Sequence, residues 1–213
     1  MTAPIASGRE ADVFALDDRR VLRRYRRVAD VTAEARVMSY VAGLGYPVPT
    51  VYEAHGSDLV LERLDGPTMA QALAAGTVAV GAGAGILANL LQTLHELPTW
   101  PGATQQIVHL DLHPENVMLT GRGPVVIDWC NAADGPADLD TALSAVIVAQ
   151  VAVDGSHPWS EPAGEFLDAF LAVAPGDPLR LLDDAVAFRG RQLSLTDLDQ
   201  LAGARARVAG AAD

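Results

Sequence analysis

The sequence predicts an α+β protein, a small sheet with one helix followed by a mostly helical part, with enough chain for one sizeable core or two small lobes sharing a cleft. Three observations lead there. Runs with β-branched and aromatic residues at alternate positions crowd the chain up to residue 63, around a single helix-like stretch. Apolar patterns of helical spacing fill most of the chain beyond residue 65. Between them, His109–Leu119 and Val125–Trp129 make a polar loop and a short apolar hairpin carrying two Asp and one Asn.

In chain order, residues 5–8 and 12–16 read as strands around the turn Ser7-Gly8-Arg9-Glu10. Residues 19–25 give a third strand, with Val21, Arg23 and Tyr25 on one face. A helix is expected over 31–42, stopped by Gly43, Gly45 and Pro47. Strands 50–55 and 58–63 form a hairpin across Gly56-Ser57. Thr68-Met69-Ala70-Gln71 is a capping box opening a helix to about residue 75. Residues 76–85, rich in Gly, Ala and Val, read as a connector. A helix over 84–97 places Leu87, Leu90, Leu91 and Leu94 on a core face, with His95 near its C-terminal end. A helix apolar nearly all round runs from about Asp140 to residue 151, and three more are expected over 162–173, 178–189 and 196–209.

The chemistry sits in the loop and hairpin. His109-Leu110-Asp111-Leu112-His113-Pro114-Glu115-Asn116 puts an Asp and an Asn five apart, and Asp128 follows after two apolar strands. Transfer of a phosphoryl group needs a carboxylate to orient the attacking hydroxyl and accept its proton, and hard oxygen ligands for magnesium. Asp111, then Asn116 and Asp128, supply these in the usual chain order, with Leu110 where a kinase loop commonly has Arg. His109, Asp111 and His113 alternate, so on a strand they could instead face one transition metal. That alternative, or an ordinary polar loop, leaves Asn116 and Asp128 unexplained.

With His113 and Ile127-Asp128-Trp129 in place, the segment resembles the aminoglycoside phosphotransferase and choline kinase-like family, whose fold is protein kinase-like. The likeness is dense over 105–142, ordered but weaker over 5–100, and nothing specific is legible past 155. It implies a nucleotide-binding lobe over residues 1–64 and a catalytic and substrate lobe over 65–213. It implies ATP or GTP as donor, Mg as metal, and a small-molecule acceptor with a hydroxyl. Asp111 would be the catalytic base, and Asn116 and Asp128 the metal ligands. Gly8 would lie in a reduced phosphate-covering loop, and main-chain groups of Glu62 to Leu64 would read the base.

In the same likeness Arg23 occupies the place of a phosphate-binding lysine that pairs with a helix glutamate, here Glu34. This departs from the family, and Arg at a tight phosphate site is not a conservative change. The departure points to an alternative, a nucleotide-binding pseudokinase or scaffold. However, the chain has no lysine, so all fifteen basic residues are Arg. Arg23 and Arg24 could also be solvated charges on a strand edge. His109 is implied to support the loop from beneath. Asp140 is implied to tie down its backbone, with Asp138 as the alternative, and either could simply cap a helix.

Composition narrows the partners. A net charge of −12 leaves no basic surface for nucleic acid. It is compatible with an amino-containing acceptor, such as an aminoglycoside, or with solubility alone. The acceptor pocket is expected from residues 154–213, a short segment beside the added helices of antibiotic-modifying members, which speaks against an aminoglycoside as natural acceptor. No apolar run reaches membrane-span length, and Met1–Ile5 lacks a signal-peptide pattern. The single Cys130, expected to be buried, fits a reducing cytoplasm. Nothing in the sequence indicates an oligomeric state.

Overall fold

The computed structural model describes residues 3–8, 10–27, 30–193 and 199–211. Its first part is a five-stranded antiparallel sheet of order β1-β2-β3-β5-β4. The strands are β1 (Ala6–Ser7), β2 (Ala11–Ala15), β3 (Arg20–Tyr25), β4 (Val51–His55) and β5 (Asp58–Glu62), with α1 (Thr32–Gly43) between β3 and β4. The β3/β5 register pairs Arg23 with Leu59 and Val21 with Leu61. That register turns Val21 and Leu59, both buried, toward the apolar interior, where Met38 and Val41 of α1 are also sealed from solvent.

The chain then crosses to a helical body by way of Gly66-Pro67. Gly66 has φ +132, and a Cβ there would sit 2.1 Å from the Leu119 carbonyl oxygen. Only glycine allows the crossing strand to lie this close, with the Leu119 amide bonding the Pro67 carbonyl at 2.8 Å. The capping box forms as read: Thr68 and Gln71 cap each other at the start of α2 (Met69–Ala74).

The helical body contains α3 (Val80–His95), α4 (Ala137–Val153), α5 (Ser160–Leu171), α6 (Leu182–Gln192) and α7 (Asp199–Gly210). Every residue of α4 from Asp140 to Gln150 is buried, so this helix is the axis around which α5, α6 and α7 pack. Two short sheets complete it: β6 (Gln106–Val108) with β9 (Ala133–Gly135), and the hairpin β7 (Val117–Thr120) with β8 (Gly123–Val126). Trp129, fully buried, joins the parts, meeting Tyr46 edge-on at 5.6 Å and His109 at 4.9 Å.

The structure corrects three expectations. The stretch 76–85 is not all connector, because α3 begins at Val80. Gly83 packs there against Leu73 and Phe166, a tertiary contact that outweighs the poor helix propensity of its glycines. Asp177-Pro178 does not open a helix. Asp177 caps the amides of Leu179 and Arg180 in a turn, and α6 starts at Leu182. Cys130 is exposed rather than buried. The last helix is seen from Asp199; its expected start at 196–198 lies outside the described residues, as does Arg9 of the first turn.

Candidate active site

The loop after β6 is shaped from below by one carboxylate. Asp140, fully buried in the first turn of α4, accepts the amides of His109 at 2.9 Å and Leu110 at 2.7 Å. It also bonds His95 Nε2 at 3.0 Å. Burial alone would raise this carboxyl, but the hydrogen bond and charge of His95, with the neighbouring His109, hold it below its ordinary value. The clamp allows Leu110 a φ of 62, a backbone conformation costly for a branched residue. Asp138 does something else: it accepts the Asp177 amide at 3.0 Å and the Arg180 guanidinium, bracing the turn before α6. The loop-bracing carboxylate is thus Asp140.

His109 is fully buried beneath the loop. Its Nε2 lies 3.1 Å from the Ile127 carbonyl, so that nitrogen carries the proton. Burial lowers its pKa, which keeps the ring neutral and its shape fixed under Trp129. The pair ties the loop to the end of the β7–β8 hairpin.

Above it, Asp111, Asn116 and His113 form one cluster. Asn116 closes a 3-10 turn, Pro114–Asn116, and donates through Nδ2 to the Asp111 carbonyl at 2.9 Å. The same amide lies 3.4 Å from Asp111 Oδ2 and 3.2 Å from His113 Nε2. Burial, then the neighbouring Arg189 charge, pushes the His113 ring down to about 4, so it accepts this bond as a neutral base. Asp111 Oδ1 meets Arg189 of α6 at 3.3 Å. The Ile127 amide bonds the Asn116 carbonyl at 3.0 Å, which sets Asn116 beside the turn bearing Asp128.

Asp128, at φ 63, faces the sheet lobe. Arg23 of β3 reaches it with one guanidinium nitrogen and holds Glu34 of α1 at 2.8 Å with the other. Glu34 also accepts from the Tyr25 hydroxyl at 2.6 Å. Burial favours the uncharged form of Asp128, and Arg23 overcomes it, leaving the carboxyl below its ordinary value. At Glu34 burial wins and the carboxyl is raised despite Arg23 and Tyr25. Arg23 itself is held firmly protonated: burial acts against its charge, and Asp128 and Glu34 outweigh that. Arg24, on the other sheet face, pairs with Asp58 through two bonds of 2.7 and 2.6 Å and takes no part in the cleft.

The remaining positions lie along the sheet lobe. Gly8 leaves β1 and bonds the Ala11 carbonyl at 2.9 Å in a tight, exposed turn. The Glu62 side chain accepts from the Thr50 amide and from Arg122 in the β7–β8 turn, both at 3.0 Å, linking the two lobes. The amides of Glu62 and Arg63 bond the Thr50 and Arg19 carbonyls at 2.8 Å, so of the three crossing residues Leu64 lies past the sheet. The partnerships of Arg189, His95 and Arg122 escaped the sequence reading. Each belongs to an element far along the chain from its partner, and no local pattern marks such a pair.

The sequence profile of the phosphotransferase enzyme family, APH, matches residues 2–105 and 96–183. The chain belongs to this family. Its bilobal, protein kinase-like α+β fold is shared with solved phosphotransferases. The streptomycin–ATP–APH(2")-IIa ternary complex is 14% identical, covering 96% of this chain and 90% of that one, with a TM-score of 0.60. Aminoglycoside-3'-phosphotransferase of type VIII is 20% identical over 97% and 91%, with a TM-score of 0.56. Plasmodium vivax ethanolamine kinase is 10% identical over 95% and 81%, with a TM-score of 0.51. At such identities the likeness is one of fold. A comparison with curated protein sequences finds no match. No helix among the described residues is long and apolar enough to cross a membrane.

The phosphotransferase cleft has donors suited to a hard divalent cation. Asn116 spends its Nδ2 on the protein, which leaves a carbonyl oxygen, and Asp128 keeps an ionised carboxylate of which Arg23 engages one oxygen. Oxygen donors of this kind fit magnesium rather than a softer metal.

Proposed function

We propose that this phosphotransferase moves the γ-phosphate of ATP, or GTP, to a hydroxyl of a small molecule, in a cytoplasmic setting. Residues 1–64 serve as the nucleotide-binding lobe and 65–213 as the catalytic and substrate lobe. The observation that carries the reading is that Asn116 ties Asp111 to the turn bearing Asp128, by its own bond to the Asp111 carbonyl and the bond of the Ile127 amide to the Asn116 carbonyl. Asp111 takes the proton of the acceptor hydroxyl as its oxygen bonds the γ-phosphorus, and the bond from that phosphorus to the nucleoside diphosphate breaks. Asn116 and Asp128 would hold magnesium, which when bound neutralises charge on the phosphates. Arg23, fixed by Glu34, supplies a permanent cation toward them. Gly8 covers the phosphates, and the crossing at Glu62 and Leu64 receives the base. His109 and Asp140 keep the loop in shape. The acceptor is a compound with a hydroxyl, and the net charge of −12 favours one that also carries an amino group.

Arg23 in place of lysine favours a second reading, a nucleotide-binding pseudokinase or scaffold without transfer. One experiment separates them: nucleotide consumption with magnesium across a broad panel of hydroxyl acceptors, at low and high salt. Wild type should turn over, Asp111→Asn should lose turnover while still binding nucleotide, and Asp128→Ala should lose metal-dependent nucleotide binding. Wild-type turnover no faster than either variant would leave the second reading standing.

A further inference from the structure

We propose that Arg189 is a positioning residue for Asp111, tying the base to α6 and, through Gln150, to α4. The inference rests on the reading of Asp111 as the base. Arg189 lies in the last turn of α6, and its side chain is only 14% exposed. Its Nε donates to Gln150 Oε1 at 2.9 Å, and one terminal nitrogen reaches Asp111 Oδ1 at 3.3 Å and Gln192 Oε1 at 3.4 Å. A guanidinium is planar, so anchoring Nε on one residue fixes where the terminal nitrogens point. The anchor is itself fixed, because Gln150 is buried on α4.

The same helix therefore holds Asp111 twice. Near its start, Asp140 clamps the backbone of His109 and Leu110, just before the base. Near its end, Gln150 aims Arg189 at the carboxylate. The two carboxylate oxygens are thereby distinguished. Oδ1 is turned to Arg189 and Oδ2 toward Asn116, at 3.4 Å, the side that bears the proposed metal ligands. An Asp side chain rotates easily about its last torsion. Fixing that torsion turns a carboxylate that is merely near the acceptor into one pointed at it, the kind of alignment that controls phosphoryl transfer.

The test uses the full chain and three variants, Arg189→Gln, Arg189→Lys and Gln150→Ala. Readouts are kcat and KM for an acceptor found by the panel, Kd for a fluorescent ATP analogue with magnesium, Tm, and crystal structures. Arg189→Gln should lower kcat on the order of 10–100-fold, the cost of a misdirected catalytic group. Nucleotide Kd and Tm should stay near wild type. Arg189→Lys should recover part of the loss by restoring the charge, and Gln150→Ala should show a smaller loss of the same kind. A kcat within twofold of wild type in Arg189→Gln overturns the proposal. So does a loss that tracks Kd and Tm, which would make Arg189 merely structural. If Arg189→Gln does not fold, Gln150→Ala decides by the same criteria. If wild type transfers nothing, the proposed function fails. Arg189 is then judged by the crystal structures, where an Asp111 carboxylate reoriented in the variant supports it and an unmoved one overturns it.

Discussion

Asp128 precedes the turn and strand β9 that lead into α4, Asp140 lies in the first turn of that helix, and the protein satisfies the two in opposite ways. Asp140 is wholly buried, and its partners are two backbone amides and a histidine from the neighbouring helix. Asp128 keeps a third of its side chain exposed, and its partners are side chains, Arg23 from the other lobe and the nearby Cys130. A carboxylate held by backbone amides cannot change partners without unfolding the loop. One held by a side chain across a cleft can. The first arrangement suits a brace and the second suits a group that must meet a ligand. Substitutions on the two sides should therefore cost stability to different degrees.

Breaking the brace should have the largest effect. Asp140→Ala leaves two buried amides and His95 without their acceptor, and Leu110 loses the bond that keeps it at positive φ. The expected loss is about 3–5 kcal/mol, as for removal of one member of a buried charged network. Chemical denaturation of the variant would measure it. Asp140→Asn, which keeps an acceptor, should lose less. A loss below that of an ordinary surface substitution would show that the loop holds its shape without Asp140.

Acid separates the brace from the cluster above it. Asp140 lies below its ordinary pKa, so its contribution is intact above pH 3.8 and disappears only at more acid pH. His113 is depressed from 6.5 to about 4. Between those values the unfolded chain binds a proton that the folded protein refuses, so stability falls as pH drops from 6.5 toward 4. The full window is worth about 3 kcal/mol, at 1.36 kcal/mol per pK unit. Wild type should therefore lose more stability than His113→Gln between pH 7 and pH 4.5. Parallel curves for the two proteins would remove His113 from the account.

Arg23→Lys tests the exchangeable side. A lysine reaches one acid at a time, whereas the guanidinium spans Glu34 and Asp128 at once. The substitution should cost about 1–2 kcal/mol, roughly one charged hydrogen bond. It should also loosen the lobes, read as faster amide exchange in β3 and α1. Equal stability and equal exchange would mean that the double contact does not hold the lobes together.

Much of this was legible in the sequence, and the boundary of legibility has a physical cause. The strands, the capping box at Thr68 and the Asp111, Asn116 and Asp128 spacing are set by local chemistry, so they show in the order of residues. Strand alternation, which is local as well, put Arg23 on one face of β3 with Val21 and Tyr25, while its place opposite Glu34 came from the family likeness. The start of α3 was not legible, since the contacts that stabilise Gly83 come from Leu73 and Phe166. Arg189 was not legible either, because it meets Asp111 across 78 positions of sequence and only the packing of α6 on α4 brings them together. The exposure of Cys130 was not legible, because it lies in an irregular turn after the buried Trp129 where no periodicity assigns its face.

The smallest effect belongs to the second bridge between the lobes, and it sharpens the contrast. Arg122 reaches Glu62 at 3.0 Å, but half of its side chain is exposed, where Arg23 is nearly covered. An exposed pair gains little Coulomb energy in water and spends side-chain entropy to form. Glu62 also retains the Thr50 amide and hydroxyl when Arg122 is removed. Arg122→Ala should therefore change stability by only about 0–1 kcal/mol, with the difference vanishing at high salt. Thermal unfolding at low and high ionic strength measures both. A loss as large as that of Arg23→Lys, insensitive to salt, would mean that the lobes are joined at the crossing as firmly as at the cleft, and Asp128 would no longer stand out as the carboxylate left free to change partners.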